Sequence, residues 1–196
     1  MNSSNVLLSK LRETFNLVND WLKYAEAKNA VLLAFSGAGI SSSLSFMTSI
    51  SSAGFSSLVV NMLAVSTFGM CLSAVFSALS FIPKTDPKQL RSNTQRHVTR
   101  QLNGSRAREE NLFFFGHIKH HTSESFIDAI NSKYILENIE KPYPREATDI
   151  ADQIIINSIL TSNKLKLFSY GIYTLLVSIC VIPLFILVSL LIENRI

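Results

Sequence analysis

Charge is what this chain lacks over its longest stretches. No Asp, Glu, Lys or Arg occurs from Asn29 to Pro83, a run of 55 residues, and a second uncharged run covers the 26 residues Leu167–Ile192. A transmembrane helix needs about 20 apolar residues to cross a hydrocarbon core about 30 Å thick. Both runs exceed that, which excludes an ordinary soluble domain. Cysteine is scarce as well: Cys71 and Cys180 both fall inside the uncharged runs. They read as small apolar residues there, and neither a disulfide framework nor a thiolate metal site is suggested. Glycine-rich phosphate loops, dinucleotide fingerprints and long repeats are missing too. The one tempting glycine cluster, GAGISSS at Gly37–Ser43, has no lysine and lies in an uncharged run.

What is present is long apolar sequence. LFSYGIYTLLVSICVIPLFILVSLLI, residues 167–192, fits one span between Lys164 and Lys166 on one side and Glu193 and Arg195 on the other. Phe168, Tyr170 and Tyr173 cluster at its lysine end, where interfacial rings are favoured. Pro183 is expected to bend it by removing one backbone hydrogen bond. The longer run would make a helix of about 80 Å if unbroken, too long for a bilayer. It divides into two spans, near Ala30–Ile50 and Ser56–Ile82, around the small polar turn Ser49–Ser57, with Pro83 closing the second. A single span with a long apolar external segment is the rival arrangement. The first run does not read as a cleaved signal, because 28 mostly polar residues precede it.

Basic residues orient the spans. Lys10, Arg12, Lys23 and Lys28 precede the hairpin, most of the remainder lie in residues 84–166, and only Arg195 follows the last span. By the positive-inside rule the N-terminus and residues 84–166 are cytoplasmic, which agrees with three spans. The chain therefore divides into a cytoplasmic amphipathic helix (1–28), a transmembrane hairpin (29–83), a cytoplasmic segment (84–166), a third span (167–192) and an external tail (193–196). The fold class is an all-α integral membrane protein: three transmembrane helices and a small cytoplasmic helical bundle.

The bundle is patterned for helices. Val6, Leu7, Leu11, Phe15, Val18, Trp21, Leu22 and Ala25 recur at three- and four-residue steps, predicting an unbroken helix into the first span. Ser123-Glu124-Ser125 opens a second helix through about Glu140, with Phe126, Ile127, Ile130, Tyr134, Ile135 and Ile139 on its apolar side; KPYP at 141–144 stops it. From Glu146 a third helix, with Ala147, Ile150, Ala151, Ile154, Ile155, Ile159 and Leu160 along one side, feeds the last span. No proline or glycine interrupts it before Gly171, which with Pro183 is a candidate flexing point. Residues 84–108 carry seven basic residues against Asp86 and read as a positive-inside flank near anionic headgroups. They offer too few aromatics for nucleic-acid binding.

Small residues four apart, Ala38 and Ser42, Gly39 and Ser43, Ser73 and Ser77, Ala74 and Ala78, allow close helix approach. Contacts between copies and packing within one hairpin use the same faces.

The chemistry concentrates in LFFFGHIKHH, Leu112–His121. His117, His120 and His121 have a spacing that zinc ligands sometimes use. Gly116 leaves the helix geometry open, and no glutamate stands between the histidines as a general base. Structural or solvent-facing histidines are the favoured reading. Leu112-Phe113-Phe114-Phe115 anchors the connector against the bundle in one reading. In the other it lines a ligand pocket, where a ring stacks on a nucleobase while His117, Lys119 and the Gly116 backbone meet a phosphate. No paired carboxylates or nucleophile elbow point to catalysis, and a constitutive membrane scaffold or small channel subunit is the plain alternative function.

Five elements occur in order: DWLKYAEAKNAVLLAFSGAGI (Asp20–Ile40), a second uncharged span, LFFFGHI (Leu112–Ile118), ESFIDAI (Glu124–Ile130) and DQIIINSILTSNKLKLFSYGIYTLL (Asp152–Leu176). In these the chain resembles the transmembrane effectors of Pycsar, a bacterial anti-phage system. The closest matches are Lys28, the Phe114-Phe115-Gly116 element, Asn157 and Lys164. The resemblance implies a non-enzymatic effector of the bacterial inner membrane without a cofactor. A partner cyclase would supply cyclic CMP or cyclic UMP, and the response would be impaired membrane integrity, with membrane lipids and further copies of the chain as partners. The implied sensing residues are Phe114, Phe115, Gly116, His117, Lys119 and Lys164 in segment 84–166.

Overall fold

A computed structural model describes residues 3–52, 57–82, 111–135 and 139–193. All its regular elements are helices: α1 (Ser3–Ser52), α2 (Ser57–Leu79), the single turn α3 (Phe115–Ile118), α4 (Ser123–Tyr134) and α5 (Arg145–Glu193). The turn expected in Ser49–Ser57, the basic segment 84–108 and the tail beyond Glu193 lie wholly or partly outside the described residues. As the patterning predicts, α1 and α5 run on from bundle sequence into uncharged sequence without a break. Helix α5 continues through Gly171 and Pro183.

The chain forms two compact units: Met1–Ala25 with Pro83–Lys164, and Glu26–Ile82 with Leu165–Ile196. The first has an aliphatic core. Leu7, Leu11 and Val18 of α1, Ile118 of α3, Phe126 and Ile127 of α4, and Ala147, Ala151 and Ile154 of α5 are all fully buried. The buried seam of α1 differs in detail from the periodic set read in the sequence. Thr14 occupies a fully buried position, its hydroxyl donating to the Lys10 carbonyl at 2.9 Å. Trp21 stands on the flank of the seam, 36% exposed.

Helix α4 starts where expected. Thr122 accepts a hydrogen bond from the Ser125 backbone N–H at 3.3 Å, and Ser125 Oγ accepts one from the Thr122 N–H at 2.9 Å. This reciprocal cap satisfies donors that a helix start leaves unpaired. The helix ends at Tyr134, short of the expected Glu140. The reason is a better set of partners for the returning chain. Asn131 donates to the Ile139 carbonyl at 3.1 Å and accepts from its N–H at 3.2 Å. Asp128, one turn earlier, accepts from Tyr143 Oη at 2.5 Å and Lys141 Nζ at 2.9 Å. A side-chain amide thus replaces helix bonds and turns the chain back toward α5.

The second unit holds the membrane spans. Among the described residues three helices, α1, α2 and α5, are long and apolar enough to cross a bilayer. Among the described residues its apolar cluster is Leu32, Met70 and Leu175, with Ile40, Phe168 and Ile172 packed against them, and Leu63 of α2 is buried as well. Hydroxyls do much of the joining. Ser36 Oγ donates to Ser73 Oγ at 3.0 Å, Ser73 Oγ to the Gly171 carbonyl at 2.8 Å, and Ser66 Oγ to the Ser178 carbonyl at 2.7 Å. The last two pairs lie seven residues apart on both helices, so α2 and α5 run antiparallel and meet every second turn.

Glycine makes those meetings close. A Cβ on Gly69 would collide with the Ser178 side chain, and one on Gly171 would lie 2.8 Å from Leu32 Cδ2 and 3.4 Å from the Ser73 carbonyl. Gly171 is therefore a packing contact in this structure. Other hydroxyls fold back on their own helix: Ser41 on Gly37, Ser45 on Ser41, Ser49 on Ser45, Thr67 on Leu63, Ser77 on Ser73 and Ser178 on Thr174. The pairs expected to serve either hairpin or assembly divide. Gly39 and Ser43 face Met70, and Ser73 and Ser77 are buried, whereas Ala38 and Ser42 are exposed.

Candidate functional site

The LFFFGH corner of the first unit is built around one turn of helix. Asn111 starts it: its side-chain Oδ1 accepts from the Phe113 N–H at 2.9 Å, and its carbonyl accepts from the Phe114 N–H at 3.1 Å. Phe114 stays extended (φ −100°, ψ 118°), and its carbonyl then receives the N–H groups of His117 and Ile118. The turn drives Phe115 and Ile118 inward and leaves Phe114 and His117 on the surface.

The rings form one continuous group. Phe114 packs on Phe115 at 4.6 Å between centroids and meets His117 edge-on at 5.5 Å. Phe115 lies 5.6 Å from Trp21, which meets Tyr24 edge-on at 6.0 Å. Such offset and edge contacts suit the ring quadrupoles. Gly116 is the residue that the Phe114 ring covers, so a side chain there would displace that ring. His117 Nδ1 accepts from the Asn111 backbone N–H at 3.0 Å. That bond places the proton of the neutral imidazole on Nε2, where it is a donor.

The residues expected to share a site therefore separate by task. Phe114 and His117 present a ring face and an N–H at the surface, while Phe115 and Gly116 support them. Lys119 donates to Ser162 Oγ of α5 at 2.9 Å, tying the corner to that helix. Lys164 is half-buried on α5, two residues beyond that serine. Asn157, singled out in the sequence, donates to Asn19 Oδ1 at 2.7 Å and so joins α5 to α1. His121 sits 3.4 Å from Ser125 Oγ and packs beside Phe126. Among the described residues no group of three metal-ligating side chains forms.

Sequence reasoning missed that Trp21 and Tyr24 extend the aromatic group. Their four-and-three step from Leu17 was the available signal. It also missed the charge cluster at the α4–α5 connection. Burial pushes the Asp128 carboxyl up, but the hydrogen bonds from Tyr143 and Lys141 outweigh it and hold Asp128 below the ordinary aspartate range. Burial and the bond to Asp128 push the Tyr143 hydroxyl up.

The family model described as the Pycsar effector protein domain matches residues 10–192, which takes in the corner, the bundle and all three spans. The chain belongs to the Pycsar effector family. Comparison with curated proteins and with solved structures yields no match. This Pycsar effector is a multi-pass membrane protein of anti-phage defence, placed downstream of a cyclic nucleotide signal from a partner cyclase.

Proposed function

We propose that the Pycsar effector binds a pyrimidine cyclic mononucleotide, cyclic CMP or cyclic UMP, on its first unit and then impairs the integrity of the bacterial inner membrane. In this reading residues 84–166 and the N-terminus are cytoplasmic, and the protein acts without catalysis, as an assembly of several copies. The observation that carries it is the exposed Phe114 ring beside the exposed His117, whose Nε2 is a donor. Ring and N–H are what a pyrimidine and a cyclic phosphate require, a π-face for stacking and a donor for an anionic oxygen. Lys119 and Lys164 supply positive charge from the same unit, with Phe115 and Gly116 holding the ring in place. A small anionic ligand shifts a conformational equilibrium only by binding two arrangements unequally. The unbroken α1 and α5 are the elements through which that difference would act on the spans.

Titration calorimetry of the purified effector with cyclic CMP, cyclic UMP, cyclic AMP and cyclic GMP tests the reading. Heat is expected with one pyrimidine nucleotide, and it should fall away in Phe114→Ala. The absence of heat with all four nucleotides would remove the sensing claim.

A further inference from the structure

The outer surface of α1 carries a stripe that neither the bundle core nor the span core uses. Leu17, Trp21, Tyr24, Val31 and Phe35 follow one another at steps of four, three, seven and four, which places them on one face of a helix. They are 38%, 36%, 48%, 55% and 67% exposed. Lys28 occupies the missing step, with its ammonium 5.2 Å from the centre of the Phe168 ring. Four and seven residues before Leu17 the same stripe becomes the ion pair Glu13–Lys10, at 2.9 Å. Arg12, Asn16, Asp20 and Lys23 occupy the neighbouring polar side of the helix.

The order of residue types along this stripe is a depth scale. Phe35 and Val31 lie within the span and Lys28 at its entry. Tyr24 and Trp21 are amphipathic rings, and the charged pair comes last. Tyr24 and Trp21 stand about 6 and about 10 Å before Lys28 along the helix axis at 1.5 Å per residue. The polar layer on each side of a bilayer is about 5–8 Å thick, and Trp and Tyr are enriched there. A protein-covered patch would have an interface core depleted of lysine, whereas this stripe has Lys28 at its centre.

We infer that the aromatic stretch of α1 before the first span, Tyr24 and Trp21, is a lipid-headgroup contact of the effector. The lipid-facing surface of the first span thus continues about two turns beyond Lys28. Through the ring contact of Trp21 with Phe115, this contact bears on the LFFFGH corner itself. The inference concerns a lipid surface and stands whether or not a nucleotide binds.

Trp21 is the only tryptophan in the chain, so the intact protein reports on it directly. The effector is reconstituted at high lipid excess in vesicles of phosphatidylethanolamine and phosphatidylglycerol. One set carries bromines high on the acyl chains and another near their ends. Trp21 emission is expected to be quenched more by the shallow bromines than by the deep ones and to resist acrylamide. Trp21→Phe supplies the background. Ready quenching by acrylamide with none by either brominated lipid would place the ring in water and overturn the inference. Protection from all three quenchers at every lipid excess would show a protein cover, a second copy included, and would overturn it equally. Stronger quenching by the deep bromines would place the ring in hydrocarbon and have the same result.

Discussion

The two units of the effector reach stability by different means. In the first, a set of fully buried aliphatic residues and Phe126 meets around a core from four helices. In the second, among the described residues, a core cluster of Leu32, Met70 and Leu175 with a few partly buried neighbours is supplemented by serines that bond across helices and by glycines at the contacts. Water explains the first arrangement and lipid the second. Removing apolar surface from water is worth about 25 cal/mol per Å². Between helices in lipid that gain is absent, and close packing with hydroxyl bonds takes its place. The division also shows outside: the first unit carries ion pairs as well as its exposed aromatics Trp21, Tyr24 and Phe114, and the second exposes the aliphatic and aromatic Val65, Phe68, Val75 and Leu176.

The largest effect should come from uncoupling the units without harming either. Two glycines inserted between Asn163 and Lys164 interrupt α5 at their boundary. Permeabilisation of cells supplied with the active nucleotide should vanish, while calorimetric binding stays near the parent value. Undiminished permeabilisation would show that α5 is not the transmitter. Next is Phe126→Ala, which empties the largest fully buried side chain among the described residues of the first unit. A loss of about 3–5 kcal/mol is expected, as for other buried phenylalanines. Thermal unfolding followed by circular dichroism would check it, with the span helices keeping their signal to higher temperature.

A smaller change should follow Ser73→Ala, which removes both the donor to Gly171 and the acceptor for Ser36. Interhelical bonds of this kind are worth about 0.6–2 kcal/mol in membranes. Unfolding in mixed detergent should shift by that order, and an effect as large as that of Phe126→Ala would contradict the contrast between the units. The smallest effect concerns Asp128, whose side chain is 44% exposed. Its carboxyl is held below the ordinary aspartate range in the folded chain, so its contribution is complete above that range and is lost as pH falls through the folded value. The protection of the Ile139 amide, its exchange measured against the intrinsic rate at each pH, should therefore fall with acid in the parent. Asp128→Asn should show the lower protection already at neutral pH and lose that acid response.

The helices were legible in the sequence because both solvents leave periodic or uncharged runs. Residues 29–83 and 167–192 named the spans, and the step pattern from Leu7 to Ala25 named α1. The end of α4 was not legible, because it depends on Asn131 finding Ile139 eight residues away. Local propensity carries no trace of that pairing. Contact glycines fared similarly. The close approach at Gly171 could not be read because its partners, Leu32 and Ser73, belong to other helices. Of the candidate site, the corner itself was readable as LFFFGH. The tautomer of His117 and the engagement of Lys119 by Ser162 were not, since each rests on a residue that spacing does not single out.

The hydroxyls folded back on their own helices have a consequence for how the effector is made. Ser41, Ser45, Ser49, Thr67, Ser77 and Ser178 already bond a carbonyl one turn earlier in the same helix. Each of these side chains is satisfied before any neighbouring span has arrived. A nascent span can therefore leave the translocation channel for lipid alone, without an unpaired hydroxyl barring its exit. Ser36, Ser66 and Ser73, which donate across helices, can turn to their own backbone in the interim and exchange partners when the spans meet. Biogenesis in this membrane protein can thus proceed one helix at a time, with association left to a later step.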